Sequence, residues 1–132
     1  MKKKRERQTK QKRIIEELIK TSKTPLSVDE ILCIGRKKLA TLNRATVYRN
    51  LNAFIPRGEL KKIKIPFSGT FYEGGKKDHH HNFLCLNCKK VYDIPGCHLK
   101  KNIRMPKGFN LQKHEIFFYG ICEKCNIFKG KS

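Results

Sequence analysis

The chain has 132 residues, with 31 Lys and Arg against 11 Asp and Glu, a formal charge of +20. That length holds one domain or two small ones and excludes a large enzyme core. The surplus favours a polyanionic partner, most often nucleic acid, because each neutralised phosphate releases condensed counterions. It is uneven: residues 1–77 hold 21 of the basic and 7 of the acidic side chains. No apolar run approaches the length of a membrane span. The basic leader "MKKKRERQTKQKR" is followed by an amphipathic segment with acidic residues, not by the apolar core of a signal peptide. The expectation is a cytoplasmic protein without membrane or small-molecule partners. In that reducing compartment six cysteines read as metal ligands before disulfides.

After the leader, Ile14, Ile15, Leu18 and Ile19 form one apolar face at helical spacing. Ser27-Val28-Asp29-Glu30 is a capping box, with Leu26 and Ile31 placed to staple it, and the spacing predicts a second helix to residue 38 or 39. In the third segment, "NRATVYRNLNAF", Val47, Leu51 and Phe54 make a stripe to bury. The opposite face carries Ala45, Tyr48, Arg49 and Asn52, equipment for reading base edges in a major groove. On periodicity alone, a merely solvated face fits the same residues. Pro56-Arg57-Gly58 ends the helix. "ELKKIKI" then alternates as a half-buried strand with Lys62 and Lys64 outward, Pro66-Phe67-Ser68-Gly69 turns, and "TFYE" returns. Three helices and a basic hairpin predict a winged-helix domain.

The C-terminal part carries Cys85-x2-Cys88 and Cys122-x2-Cys125 with 33 residues between them. Two such knuckles supply the four thiolates of a closed tetrahedral zinc site, with a small fold between them. That fold is expected to contain a strand over 91–94, a short helix around 98–104 and a strand near 109–120. "DHHHNF" is the remaining puzzle. In a strand, His79 and His81 face one way and His80 and Asn82 the other, so the histidines divide between two sites. Glu73, Asp93 and His114 lie where the expected strands deliver them. An exposed polyhistidine run with weak metal affinity is the competing reading.

"NRATVYRNL", "FYE", "HHHNFLCLNC" and "HEIFFYGICEKC", in order and over nearly the whole chain, resemble the motif series of the ferric uptake regulator family. These are bacterial metal-sensing repressors. The resemblance implies an α+β protein: a winged-helix DNA-binding domain at 1–77, then a small α/β dimerisation and metal-binding domain at 78–132. Residue by residue, it implies structural zinc on Cys85, Cys88, Cys122 and Cys125. It implies a hinge sensing site on Glu73, His80 and Asp93, with Asn82 beside them. A further site would use His79 and His114, with His81 able to ligate where the family commonly has aspartate, and with Cys97 and His98 as nearby candidates for the missing acidic ligand. The resemblance implies Tyr48 and Arg49 as groove-facing, and Lys12 stands where the family usually has arginine; with Ala45, Thr46 and Asn52 of the same segment, and Lys62 and Lys64 on the wing, they make up the expected DNA-binding set. Two departures fall on the hinge: the family usually has histidine where this chain has Asn82 and Pro25. A weakened hinge site is therefore expected, with metal dependence shifted towards the second site.

The leading reading is a homodimeric, metal-responsive repressor of a palindromic operator in double-stranded DNA. It carries structural Zn2+ and a regulatory Fe2+, Mn2+ or Zn2+ ion. A DNA-binding regulator with only structural zinc and a decayed sensing site is the alternative, and a basic RNA-binding zinc protein is another. An enzyme is not expected. There is no His-Glu-x-x-His and no deaminase-type His-x-Glu with Pro-Cys-x-x-Cys, and a four-thiolate site leaves no open position for water.

Overall fold

The computed structural model describes residues 2–75, 79–97 and 103–127, and the chain divides into two compact units, Met1–Lys76 and Lys77–Ser132. In the first unit α1 spans Lys2–Thr21, α2 Val28–Gly35 and α3 Arg44–Phe54. Strands β1 (Leu60–Ile65) and β2 (Gly69–Gly74) form an antiparallel hairpin. Among the described residues no helix is long and apolar enough to cross a membrane.

The basic leader is itself helical. Its Lys, Arg, Glu and Gln are good helix formers, and no glycine or proline interrupts the run before Pro25. Ile14, Ile15, Leu18 and Ile19 of α1 are buried with Val28, Ile31 and Leu32 of α2 and with Val47, Leu51 and Phe54 of α3. The capping box at α2 is complete: Ser27 Oγ accepts from the Glu30 N–H at 3.1 Å, and Glu30 Oε1 accepts from the Ser27 N–H at 3.1 Å. Helix α2 stops at Gly35, short of residue 38. Lys37 and Lys38 instead donate to Ile34 and Gly35 in tight turns. Gly35 is pressed so close to the core that a Cβ there would meet Leu42 Cδ2 at 2.6 Å.

Asn43 caps α3, its side-chain oxygen accepting from the Thr46 N–H at 2.9 Å. Arg44 on α3 pairs with Asp29 on α2. Along β1 the side chains of Leu60, Ile63 and Ile65 are buried while Lys61, Lys62 and Lys64 are exposed. The hairpin is tied to the helices through Leu26, whose N–H donates to the Tyr72 carbonyl at 2.8 Å and whose carbonyl accepts from the Tyr72 N–H at 2.7 Å. Three packed helices with this hairpin make a winged helix.

The second unit is a three-stranded sheet in the order β4-β3-β5, formed by β3 (His80–Cys85), β4 (Val91–Pro95) and β5 (Phe117–Gly120). β4 runs antiparallel and β5 parallel to β3. A four-residue helix, α4 (Glu123–Asn126), follows. β5 is much shorter than the expected strand over 109–120. It pairs with β3 only across Asn82–Cys85, and residues 109–115 have no strand partner among the described residues. Of the expected helix near 98–104, residues 98–102 lie outside the described ones, and 103–104 have no regular structure.

The dry face of α3 should dominate the stability of the first unit. Phe54→Ala is expected to cost about 3–5 kcal/mol in denaturant unfolding. Asn52→Ala, on the exposed face of the same helix, should stay within about 0.5 kcal/mol of the parent.

Candidate metal centres and nucleic-acid face

Apolar burial in the second unit is thin. Among its described residues the buried apolar side chains are Leu84 and Val91, joined by Cys85 and Cys122. A core this small needs a staple, and the cysteines supply one. β3 ends in Cys85, the turn after it returns Cys88, and Cys122 and Cys125 sit at the start of α4 and within it. The four sulfurs lie within 4.8 Å of one another. A tetrahedral ion with metal–sulfur bonds of about 2.3 Å sets its sulfurs about 3.8 Å apart, and Cys88 Sγ is 3.8 Å from Cys122 Sγ.

The protonation pattern fits a cation as well. Burial pushes the Cys85 thiol up, but N–H groups of Cys122, Cys88 and Asn87 outweigh it and bring the thiol down to about 6. Two of those donors lie 3.4 Å from its sulfur. A hydrogen bond from Tyr92 lowers Cys122, and the same bond raises Tyr92. Cys88 is pushed up to about 11 by burial and by neighbouring sulfurs. Thiols this close resist ionising together unless a divalent ion neutralises them. The donor set fits a structural zinc site.

The histidines part as the strand pleat requires. His79, His81 and His114 gather on one side, with His79 Nε2 and His114 Nε2 3.1 Å apart. Cys97 joins them, its sulfur 3.2 Å from His114 Nε2. These four donor atoms also lie within 4.8 Å of one another. His81 is buried and its Nε2 has no hydrogen-bond partner, and burial beside His114 and His80 lowers its proton affinity. Neutral imidazole is the form that binds metal. His98 lies outside the described residues.

On the other face His80 Nε2 is 3.5 Å from Asp93 Oδ1. Asn82 stands opposite Asp93 in the β3–β4 register, buried, its side-chain oxygen without a hydrogen-bond partner. A buried acceptor in that condition is the kind of group a cation or water satisfies. Glu73, expected to serve the same site, is buried on β2 in the first unit.

In the first unit Ala45, Tyr48, Arg49 and Asn52 of α3 are all exposed, as are Lys12, Lys62 and Lys64. Tyr48 and Lys62 line one groove between α3 and the hairpin. Arg49 and Lys12 line another between α3 and α1, together with Arg5, Gln8 and Thr9. Thr46 reaches that groove from beneath: it is buried and stands off the exposed face. Arg5, Gln8 and Thr9 were not among the expected DNA-binding residues. Their signal is the helical spacing of Arg5, Gln8 or Thr9, and Lys12, visible once the leader is read as part of α1.

A basic winged helix joined to a small sheet with a four-cysteine cluster defines a class of metal-binding transcription regulator. The ferric uptake regulator family model matches residues 3–119, and the chain belongs to that family of metal-responsive, DNA-binding transcriptional regulators. It is 27% identical over 122 residues to the ferric uptake regulation protein of Neisseria gonorrhoeae, covering 90% of this chain and 84% of that one. It is 28% identical over 116 residues to the peroxide operon regulator of Bacillus subtilis, covering 86% and 79%. Its structure resembles the Helicobacter pylori ferric uptake regulator, described as having three functional metal binding sites, with a TM-score of 0.69 and 26% identity over 89% of this chain and 80% of that one.

Because binding energy at a structural site is folding energy, Cys85→Ser or Cys122→Ser should lose tightly held zinc by elemental analysis and lose the second unit's dispersed amide resonances. Cys33→Ser, at an exposed cysteine of the first unit, should retain both. Full zinc occupancy in Cys122→Ser would contradict the assignment.

Proposed function

We propose that the protein binds a palindromic operator as a homodimer and that a divalent metal ion sets its affinity for that operator. The carrying observation is one chain that holds both an exposed reading face on α3 and, in its second unit, a nitrogen-rich ligand cluster separate from the four cysteines. Residues 1–77 supply DNA binding in this reading. Residues 78–132 supply dimerisation and metal binding.

Arg49, Tyr48, Asn52 and Ala45 read base edges, while Lys12, Lys62 and Lys64 neutralise phosphates. For the dimer, β5 bonds β3 along one edge, and Phe118 and Tyr119 on it are nearly half exposed. An apolar, short, open edge strand suits burial against a second copy. The four-cysteine set holds zinc. Regulatory metal (Fe2+, Mn2+ or Zn2+) uses the hinge set expected from the resemblance, Glu73, His80, Asp93 and Asn82, or the histidine cluster of the second unit. The three functional sites of the Helicobacter relative support such a count. With Asn82 and Pro25 in place of two ligand histidines, the hinge set is the weaker one, and the histidine cluster carries the metal response. A cytoplasmic location accords with thiolate ligands, and no catalytic role is proposed.

The DNA half is tested on a duplex selected by the protein from a random library. Arg49→Ala should lower specific affinity by about 1–3 kcal/mol while sparing non-specific binding. Lys62→Ala or Lys64→Ala should weaken binding to every sequence and flatten the salt dependence. Equal losses of both affinities in Arg49→Ala would mean that α3 only positions on phosphate.

The metal half is tested by titrating Fe(II), Mn(II) and Zn(II) while following binding to the same duplex. His114→Ala should blunt the response without altering the zinc held by the four cysteines. Asn82→His should enlarge it. A response abolished by His80→Ala and untouched by His114→Ala would place sensing at the hinge set instead.

A further inference from the structure

The cluster on the odd face of β3 contains a residue type that changes its chemistry. β4 ends at Pro95, and Gly96 turns the chain with φ 80°, a left-handed conformation that suits glycine. The turn delivers Cys97 to His114, which comes from the segment just before β5. Cys97 Sγ and His79 Nε2 then approach the same atom, His114 Nε2, at 3.2 and 3.1 Å.

Hydrogen bonding alone fits this arrangement poorly. An imidazole nitrogen offers one lone pair or one proton, yet His114 Nε2 faces two partners while buried His81 Nε2 faces none. The three rings crowd together, with centroids 4.7 to 5.3 Å apart. A tetrahedral ion removes the conflict. Metal–nitrogen bonds of about 2.0–2.1 Å and a metal–sulfur bond of about 2.3 Å set nitrogens about 3.3 Å apart and nitrogen about 3.5 Å from sulfur. The observed separations are within a few tenths of an ångström of both.

We infer that His79, His81, Cys97 and His114 form a closed tetrahedral site of three imidazoles and one thiolate, and that the site therefore takes Zn(II) or Co(II) in preference to Mn(II). A thiolate among imidazoles favours softer, later ions that accept four-coordination, whereas Mn(II) prefers oxygen donors and six. Binding exchanges the Cys97 proton for the metal–sulfur bond, releasing that proton to solvent. The inference deepens the proposed metal response by naming a ligand and a metal class, and rests on it only for its regulatory consequence.

The test uses the full chain with the four-cysteine site zinc-filled, checked by elemental analysis before and after. Titration with Co(II) alone should add one equivalent per chain, with the strong visible absorption of tetrahedral cobalt and a near-ultraviolet sulfur-to-cobalt band. Zn(II) should displace that cobalt stoichiometrically, and excess Mn(II) should not. Cys97→Ser should lose the sulfur band and bind cobalt more weakly than the parent, and in the parent Zn(II) should protect Cys97 from alkylation. A sulfur band that persists in Cys97→Ser with zinc still in place would overturn the thiolate assignment, as would weak six-coordinate absorption in the parent. No second equivalent of metal would overturn the site itself. Normal cobalt binding with no metal effect on the selected duplex would leave the mixed imidazole–thiolate site standing and sink the regulatory reading instead.

Discussion

The pleat of β3 is the constraint on which the second unit's chemistry depends. Successive side chains of a strand point to opposite faces, so the run from His79 to Asn82 is sorted into two groups, one of which gathers with Cys97 and His114. The same strand ends in Cys85, at the four-cysteine cluster. A one-residue slip would exchange the faces and scatter both groups. Register is held by Leu84 paired opposite Val91, by the Cys85 N–H bonded to the Lys90 carbonyl at 3.0 Å, and by the Leu86 N–H bonded to the Gly120 carbonyl at 2.7 Å. These contacts lie beside the cysteines, so a metal ion held by the cluster would also help to fix which histidines face which way.

The first unit obeys a similar division with helical period. Val47, Leu51 and Phe54 are almost wholly buried, and the face opposite them is left to solvent. Core packing thus sets the direction in which Tyr48 and Arg49 leave the helix. The Leu26–Tyr72 bridge couples the hairpin to the same core, which places Lys62 beside the groove that Tyr48 lines. Basic residues of α1 extend the face on its other side. Arg5, Lys12 and Arg49 line the groove on one side of α3, and Arg44 and Lys62 the groove on the other.

Much of this was legible in the sequence because it rests on period and spacing. The capping box, the α3 stripe, the alternation of β1 and the paired cysteines each follow a local rule, and the structure obeys each. Tertiary contact decided the rest. Helix α2 ends early where Gly35 meets Leu42, an approach between residues seven apart that helical periodicity does not encode. β5 is short because only Phe117–Gly120 lies in register against β3, opposite Asn82–Cys85. Thr46 shares a motif with the exposed residues of α3 but lies on its buried side. Cys97 had no spacing rule to announce it, since its place depends on the Gly96 turn and on a histidine 17 residues away.

In the proposed function metal and operator are linked: an ion that changes operator affinity must have its own affinity changed by operator to the same degree. The most direct measurement is a calorimetric Zn(II) titration of the second-unit site, with the four cysteines already filled, performed on free protein and on protein saturated with its selected duplex. The account predicts that the ratio of the two zinc dissociation constants differs from one and equals the ratio of duplex dissociation constants measured with and without that ion. Identical zinc affinities in the free and DNA-bound protein would contradict it.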